Sequence, residues 1–398
     1  MHRRTFLIGT AAAPAGASAL SAAESDFDPG QWLRDRKLGR LTTVTPQSGK
    51  PFQPFAARTP AQWIDESALY LKAFRELIGP WPTKRPPLDA RVLGEKKTDK
   101  WTRYQVSFAS LPSKAAYAST IKAWLFVPSK AAGKRPAIVT PHQTLPQGKD
   151  EPAGIKASLP WMAHATYYAE RGYVTLAADS IGFGERTDGG YAKAGFELAD
   201  AAPILDGHPD MTLLGLMLFD VSRCLDFLAE RPEVDAERIG VVGHSLGGIL
   251  VNGILRLEPR FKVGVASCGY GLFRTDELFP ERWAAKNSAY VPRLHLYTKD
   301  AEALPLDFHH IMALAAPRAL NIHVARGDTI WTKPAVANAA AVAAELKRLW
   351  KLLGKGDDFD AVIIANGETD RNHGWYPEGQ KAADAMLERV LKPAAKSP

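Results

Sequence analysis

Gly243-His244-Ser245-Leu246-Gly247-Gly248 follows the run Arg238-Ile239-Gly240-Val241-Val242 and precedes the apolar stretch Ile249-Leu250-Val251-Asn252-Gly253-Ile254-Leu255. A G-x-S-x-G sequence between a strand-like run and a helix-like run is the context of a nucleophile elbow. A serine raised on so sharp a turn needs residues without bulk two positions to either side, because the flanking backbones come close. Gly243 and Gly247 meet that demand, and Ser245 is the expected nucleophile.

A serine hydroxyl is a weak nucleophile at neutral pH, so an elbow predicts a histidine base and an orienting carboxylate, in the chain order Ser, Asp or Glu, His. Downstream of Ser245 stand His295, His309, His310, His323 and His373. Of these, His373 lies in the loop after the last strand-like run, Phe359 to Ala365, and before a helical segment from about Pro377 to Leu391. For the acid, Arg318 to Ala325 reads as a strand ended by Arg326-Gly327-Asp328, ahead of a long helix expected to begin near Thr332. Asp328 is the leading candidate and Asp300, after Leu294-His295-Leu296-Tyr297, is its rival; Asp370 stands too close to His373. The oxyanion needs two preorganised donors. The backbone N–H of Leu246 is the first, and the loop after Pro136-Ala137-Ile138-Val139-Thr140 should bring the second, with Thr144 in the donor position and Gln143 as its fallback. His142 of the same loop precedes the serine and is read as shaping the loop.

With these residues in view the chain resembles the α/β-hydrolase superfamily, and within it is similar to the dienelactone hydrolase-like and acetyl xylan esterase-like branch. The stretches that carry the likeness are His142-Gln143-Thr144 with Gly148-Lys149-Asp150-Glu151-Pro152, Arg171 to Arg186, Asp226-Phe227-Leu228 through Val234 to Gly240, and Ala316-Pro317-Arg318. They span roughly residues 100 to 392, and the His-Gln-Thr loop stands where the branch more often has His-Gly. The resemblance implies an eight-stranded, mostly parallel sheet with helices on both faces; the residues alone already imply alternating strands and helices.

At the amino end, Arg3-Arg4-Thr5-Phe6-Leu7, an uncharged stretch to Leu20 and the small residues Ala22-Ala23 resemble a twin-arginine export peptide. The expected organisation is therefore an export peptide over 1–23, an N-terminal extension over 24–90 and a catalytic domain over 91–398. Thr59-Pro60-Ala61-Gln62 announces an accessory helix in the extension that Gly79-Pro80 stops, whereas 24–58 should wrap the surface. No other stretch is long enough to span a membrane, since Ile239 to Leu255 is split by the elbow. A balance of 50 basic against 43 acidic residues is too mild and dispersed to argue for nucleic acid.

Cys224 and Cys268 are expected to be unpaired core thiols. His309-His310 after Asp307 has no H-E-x-x-H or cysteine pairing beside it, so neither metal nor cofactor is expected. Trp331 and Trp375 flank the proposed acid and base; packing rather than sugar stacking is their expected role. The long connections Thr187 to Pro209 and Gly269 to Leu306 should cap the serine and shape the substrate pocket. The whole predicts a periplasmic or secreted serine hydrolase that cleaves carboxylic esters through an acyl-enzyme. The resemblance tilts the substrate toward acetylated or otherwise esterified carbohydrate, with a carbohydrate acetyl esterase as its sharpest form. A prolyl oligopeptidase-like serine peptidase and a non-catalytic hydrolase-fold binding protein are the alternatives. Acyl length, alcohol partner and oligomeric state stay open.

Overall fold

Parallel strands covered on both faces read as continuous apolar runs rather than as alternating ones. The centre of this chain obeys that rule. In a computed structural model, which describes residues 28–44, 52–129, 133–157, 159–187, 204–205, 207–277, 283–284, 290–364 and 372–392, nine strands form one sheet. They are β1 (Arg91–Lys97), β2 (Trp101–Ala109), β3 (Thr120–Pro128), β4 (Arg135–Val139), β5 (Val174–Ala178), β6 (Val234–His244), β7 (Phe261–Ser267), β8 (Ala319–Ala325) and β9 (Phe359–Ile364). Their order across the sheet is β1-β2-β3-β5-β4-β6-β7-β8-β9. From β5 to β9 all neighbours are parallel, while β1, β2 and β3 pair antiparallel and β3 joins β5 antiparallel. The sheet thus has one strand more than the eight expected. The addition is β1, whose sequence Arg-Val-Leu-Gly-Glu-Lys-Lys is exposed at every position, so no apolar pattern announced it. It pairs on one side only, and its charged side chains suit an edge.

The described helices are α1 (Pro29–Asp35), α2 (Pro60–Ile78), α3 (His164–Ala169), α4 (Leu213–Ala229), α5 (Leu246–Leu257), α6 (Phe308–Ala313), α7 (Lys333–Ala337), α8 (Ala339–Leu352) and α9 (Pro377–Leu391). Contacts divide the sheet-packed ones between two faces, with α4, α5 and α8 over one and α3 and α9 over the other. The helix expected from Thr332 is interrupted at Asn338, giving α7 and α8. A short helix, α1, forms within the segment expected only to wrap the surface; Asp28 caps it by accepting from Gly30 N, and proline stands at its start. The segment 1–23 read as an export peptide lies outside the described residues.

Every residue of α4 from Leu213 to Leu228 is buried. A helix apolar all round needs cover on all sides, and the N-terminal extension supplies part of it. Helix α2 opens with a complete capping box: Thr59 Oγ1 accepts from Gln62 N and Gln62 Oε1 accepts from Thr59 N. Trp63, Phe74, Leu77 and Ile78 of α2 share one core with Leu218 of α4 and with Leu250 and Ile254 of α5. The charges on α4 are paired where they are buried. Asp220 accepts from Arg186 at 2.6 Å and from the Ser110 hydroxyl, and Asp226 accepts from Arg85, Arg223 and Arg260 at 2.7 to 2.9 Å.

Because Phe74 is buried in this shared core, Phe74→Ala should lower the stability of the whole molecule by about 3–5 kcal/mol. Urea unfolding followed by both circular dichroism and tryptophan fluorescence checks this. A main transition left where it was would mean that the extension folds apart from the rest.

Candidate active site

Ligand sites of open α/β sheets lie outside the carboxyl ends of the strands. Thr144 follows β4, Ser245 follows β6, Cys268 follows β7, Asp328 follows β8 and His373 follows β9. The elbow is tight. Ser245 sits at φ 54°, ψ −119°, between β6 and α5, and its N–H donates to Ser267 O at 2.8 Å. A Cβ at position 243 would lie 2.4 Å from the backbone of Gly247, and one at position 247 would lie 2.2 Å from Pro141 O. The two flanking glycines are therefore required by close approach, and the second contact brings the loop after β4 against the start of α5.

Neighbouring strands β8 and β9 bring Asp328 and His373 together, with His373 Nδ1 donating to Asp328 Oδ2 at 2.8 Å. The other carboxylate oxygen accepts from the backbone N–H groups of Ile330 and Trp331 at 2.8 and 2.9 Å. The carboxylate is thus held from both ends, and it leaves His373 with Nε2 as its lone-pair nitrogen. Asp300, the rival acid, lies elsewhere: it is on the surface, paired with Arg40 at 3.1 Å, and caps a short 3₁₀ turn.

A cavity of about 80 Å³ opens on Ser245, lined by Thr144, Leu246, Ile249, Trp283, Tyr290, Ile330 and Trp331. Thr144 forms a side-chain hydrogen bond with Tyr290, whose hydroxyl burial pushes up to about 12. Gln143 is not among the lining residues; its side-chain amide donates to Glu151 Oε1 at 2.7 Å. Trp283 and Tyr290 belong to the connection Gly269 to Leu306, while residues 188–203 of the other expected cap lie outside the described ones. Trp331 is buried, donates its indole N–H to Cys268 O at 2.9 Å and stacks on Trp283 at 6.2 Å. Trp375 is also buried, against His164 and His323.

The loop after β4 is held from behind. His142 Nε2 accepts from Ser180 N at 3.0 Å and its Nδ1 donates to Gln143 O at 2.6 Å, a single neutral tautomer whose buried ring resists protonation. Lys149 Nζ is buried between Asp179 and Glu185 at 2.8 and 2.7 Å, and the Lys149 backbone N–H donates to Asp179 Oδ1. These bonds tie the loop after β4 to the loop after β5.

The side chains packed behind His373 form no motif of the sequence. In the parallel register His244 faces Ser267, and Ser267 faces His323, so all three side chains stand on one face of the sheet at one level. The His244 ring lies tilted by 54° against that of His373 with centroids 4.7 Å apart, and its Nδ1 meets Ser267 Oγ at 3.0 Å. His323 Nε2 meets Asn321 Oδ1 at 2.6 Å. Each of these histidines ends or nearly ends a strand-like run, which is the signal that could have found them. His309 and His310 are buried elsewhere, on α6, with Nε2 of the former against Gln53 O and Nδ1 of the latter accepting from Asp307 N. Cys224 and Cys268 are both buried and unpaired.

Burial lowers the histidines behind the site: His164 and His323 to about 3, and His244 well below the ordinary imidazole value. In the unfolded chain each would titrate near 6.5. As pH falls below 6.5 the unfolded state therefore binds protons that the folded state refuses, and stability drops by about 1.4 kcal/mol per pH unit for each such histidine. Neither nitrogen of His164 has a hydrogen-bond partner among the described residues. His164→Leu should accordingly remove one histidine's share of the slope between pH 6 and 4, read from urea midpoints across that range. An unchanged slope would refute the burial account.

The chain is similar to several known esterases and hydrolases. The family model "Acetyl xylan esterase (AXE1)" matches residues 94–272, and "Glucuronyl esterase, fungi" matches 213–354. YtaP of Bacillus subtilis is 29% identical over 62% of this chain and 77% of its own length. The 4-O-methyl-glucuronoyl methylesterase 1 of Sodiomyces alcalophilus is 26% identical over 43% of this chain, a match spanning only 36% of that protein. A glucuronoyl esterase from Solibacter usitatus shares the fold, with a TM-score of 0.64 at 18% identity over 88% of this chain and 97% of that one. The chain is a serine carboxylic-ester hydrolase with the α/β-hydrolase fold, similar over 94–272 to the acetyl xylan esterase family and over 213–354 to the fungal glucuronyl esterases.

Proposed function

We propose that Ser245 is the nucleophile, His373 the general base and Asp328 the group that orients it, in an esterase that removes short acyl groups from carbohydrate. The observation that carries the assignment is the hydrogen bond from His373 Nδ1 to an Asp328 carboxylate already held by two backbone N–H groups. That bond fixes the tautomer whose Nε2 can accept the serine proton. Ser245 Oγ attacks the acyl carbon while Nε2 takes its proton, and the proton then passes to the leaving alcohol. Water, activated by the same nitrogen, hydrolyses the acyl-enzyme. The N–H of Leu246 at the start of α5 and the loop carrying Thr144 stabilise the oxyanion at both stages.

The size of the cavity at Ser245 supports a small acyl group. About 80 Å³ bounded by Trp283, Trp331, Tyr290 and Ile249 suits an acyl group as small as acetyl. The matches to acetyl xylan esterase and to 4-O-methyl-glucuronoyl methylesterase support a sugar-bearing substrate. A second reading, hydrolysis of a uronoyl ester, draws on the fungal glucuronyl esterase match over 213–354; it places the sugar on the acyl side of the bond. Export of the chain through its twin-arginine start belongs to the same proposal. Among the described residues no helix is long and apolar enough to cross a membrane.

A fluorophosphonate probe should label the protein, and Ser245→Ala should abolish labelling. Asp328→Asn should keep the fold but lower kcat by about 10³–10⁴; an unchanged kcat would remove Asp328 from the mechanism. Acetyl, butyryl and octanoyl p-nitrophenyl esters assayed beside acetylated xylan and a methyl glucuronate ester decide the substrate. Acetyl release with little turnover of octanoate is the expected result, and preference for the glucuronate ester would establish the second reading instead.

A further inference from the structure

His244, Cys268 and His373 come from the carboxyl ends of three different strands, yet one ligand atom from each lies within 4.8 Å of the other two. The outer nitrogens of both imidazoles are engaged: Nδ1 of His373 with Asp328 and Nδ1 of His244 with Ser267 Oγ. The other nitrogens, Nε2 of each, have no hydrogen-bond partner among the described residues, although both are buried. Buried nitrogens without partners are costly, and two of them beside a thiol form the donor set of a borderline-soft cation. Ligating histidines commonly give their second nitrogen to a carboxylate or another polar group, which is the arrangement here. No carboxylate belongs to the trio, so it does not suit hard cations such as Mg²⁺ or Ca²⁺.

We propose that His244, Cys268 and His373 form a zinc site whose occupancy switches the esterase off. Zinc would take the lone pairs of the two Nε2 atoms and of the Cys268 thiolate, leaving its fourth position to water. Both imidazoles bind as neutral rings, and the thiol proton leaves to solvent, so one proton is released for each ion bound. With Nε2 of His373 bound to metal, no lone pair remains to accept the Ser245 proton. The inhibitory consequence rests on the function proposed above; the binding site does not.

Zinc titration of the metal-free full chain by calorimetry, in two buffers of different ionisation enthalpy, should give one site and release of one proton. The same zinc concentrations should inhibit p-nitrophenyl acetate hydrolysis. Cys268→Ala should hydrolyse the ester much as before without zinc, bind zinc at least about tenfold more weakly and release no proton. Cobalt(II) in place of zinc should give a thiolate-to-metal charge-transfer band with the natural chain and none with Cys268→Ala. Ser245→Ala, inert toward ester, should still bind zinc. Equal zinc affinity and inhibition in Cys268→Ala, a cobalt spectrum without the thiolate band, or no binding would each overturn the site. Lack of ester hydrolysis in the natural chain would overturn the proposed function instead, with the calorimetric result standing by itself.

Discussion

The contact between two backbones at the end of β6 governs what surrounds it. A methyl group at 243 would run into the Gly247 backbone, and one at 247 would run into Pro141 O, so neither position has room for a side chain. Helix α5 can therefore start directly on Ser245, with the serine at a positive φ and its N–H bonded to the next strand. Backbone strain of this kind survives only where the surroundings over-determine it. Here the parallel pairing of β6 with β4 and β7 on both sides does so. Every other member of the site is positioned relative to this point by the order of the strands.

Strand order also explains why the polar residues behind the base are histidines, serine and asparagine in an otherwise apolar face. Val242, Val263 and Val265 pack with α9, but one step further along the strands His244, Ser267 and His323 stand in a row. Burial keeps those imidazoles uncharged, so His373 is backed by neutral rings rather than by positive charge that would oppose its protonation. The cost appears as nitrogens lacking partners among the described residues, at His164, His244 and His323. Such a cluster trades stability in acid for a rigid, dry backing to His373.

Much of the site was legible because its chemistry is written in short motifs or in order along the chain. The elbow is local, and the order serine, acid, base left His373 as the histidine after the last strand. Choosing between Asp328 and Asp300 rested on a strand end, and the coordinates separate them physically: one carboxylate meets the imidazole and the other meets Arg40. The sequence ranks Thr144 ahead of Gln143 for the second donor; in the structure Thr144 lines the cavity at Ser245 and Gln143 bonds Glu151.

By itself the sequence determined the alternation of strands and helices, the turn that raises the serine, and the start and stop of α2, since each depends on residues adjacent in the chain: apolar runs, glycines without bulk, a threonine with glutamine three places on. Tertiary structure alone decided the added edge strand β1, the joining of the N-terminal extension to the core through Phe74, and the gathering of His244, Cys268 and His373 around one point. Those features come from pairing and packing between segments far apart in sequence. A side chain that meets its partner across a sheet leaves no periodic trace beside it.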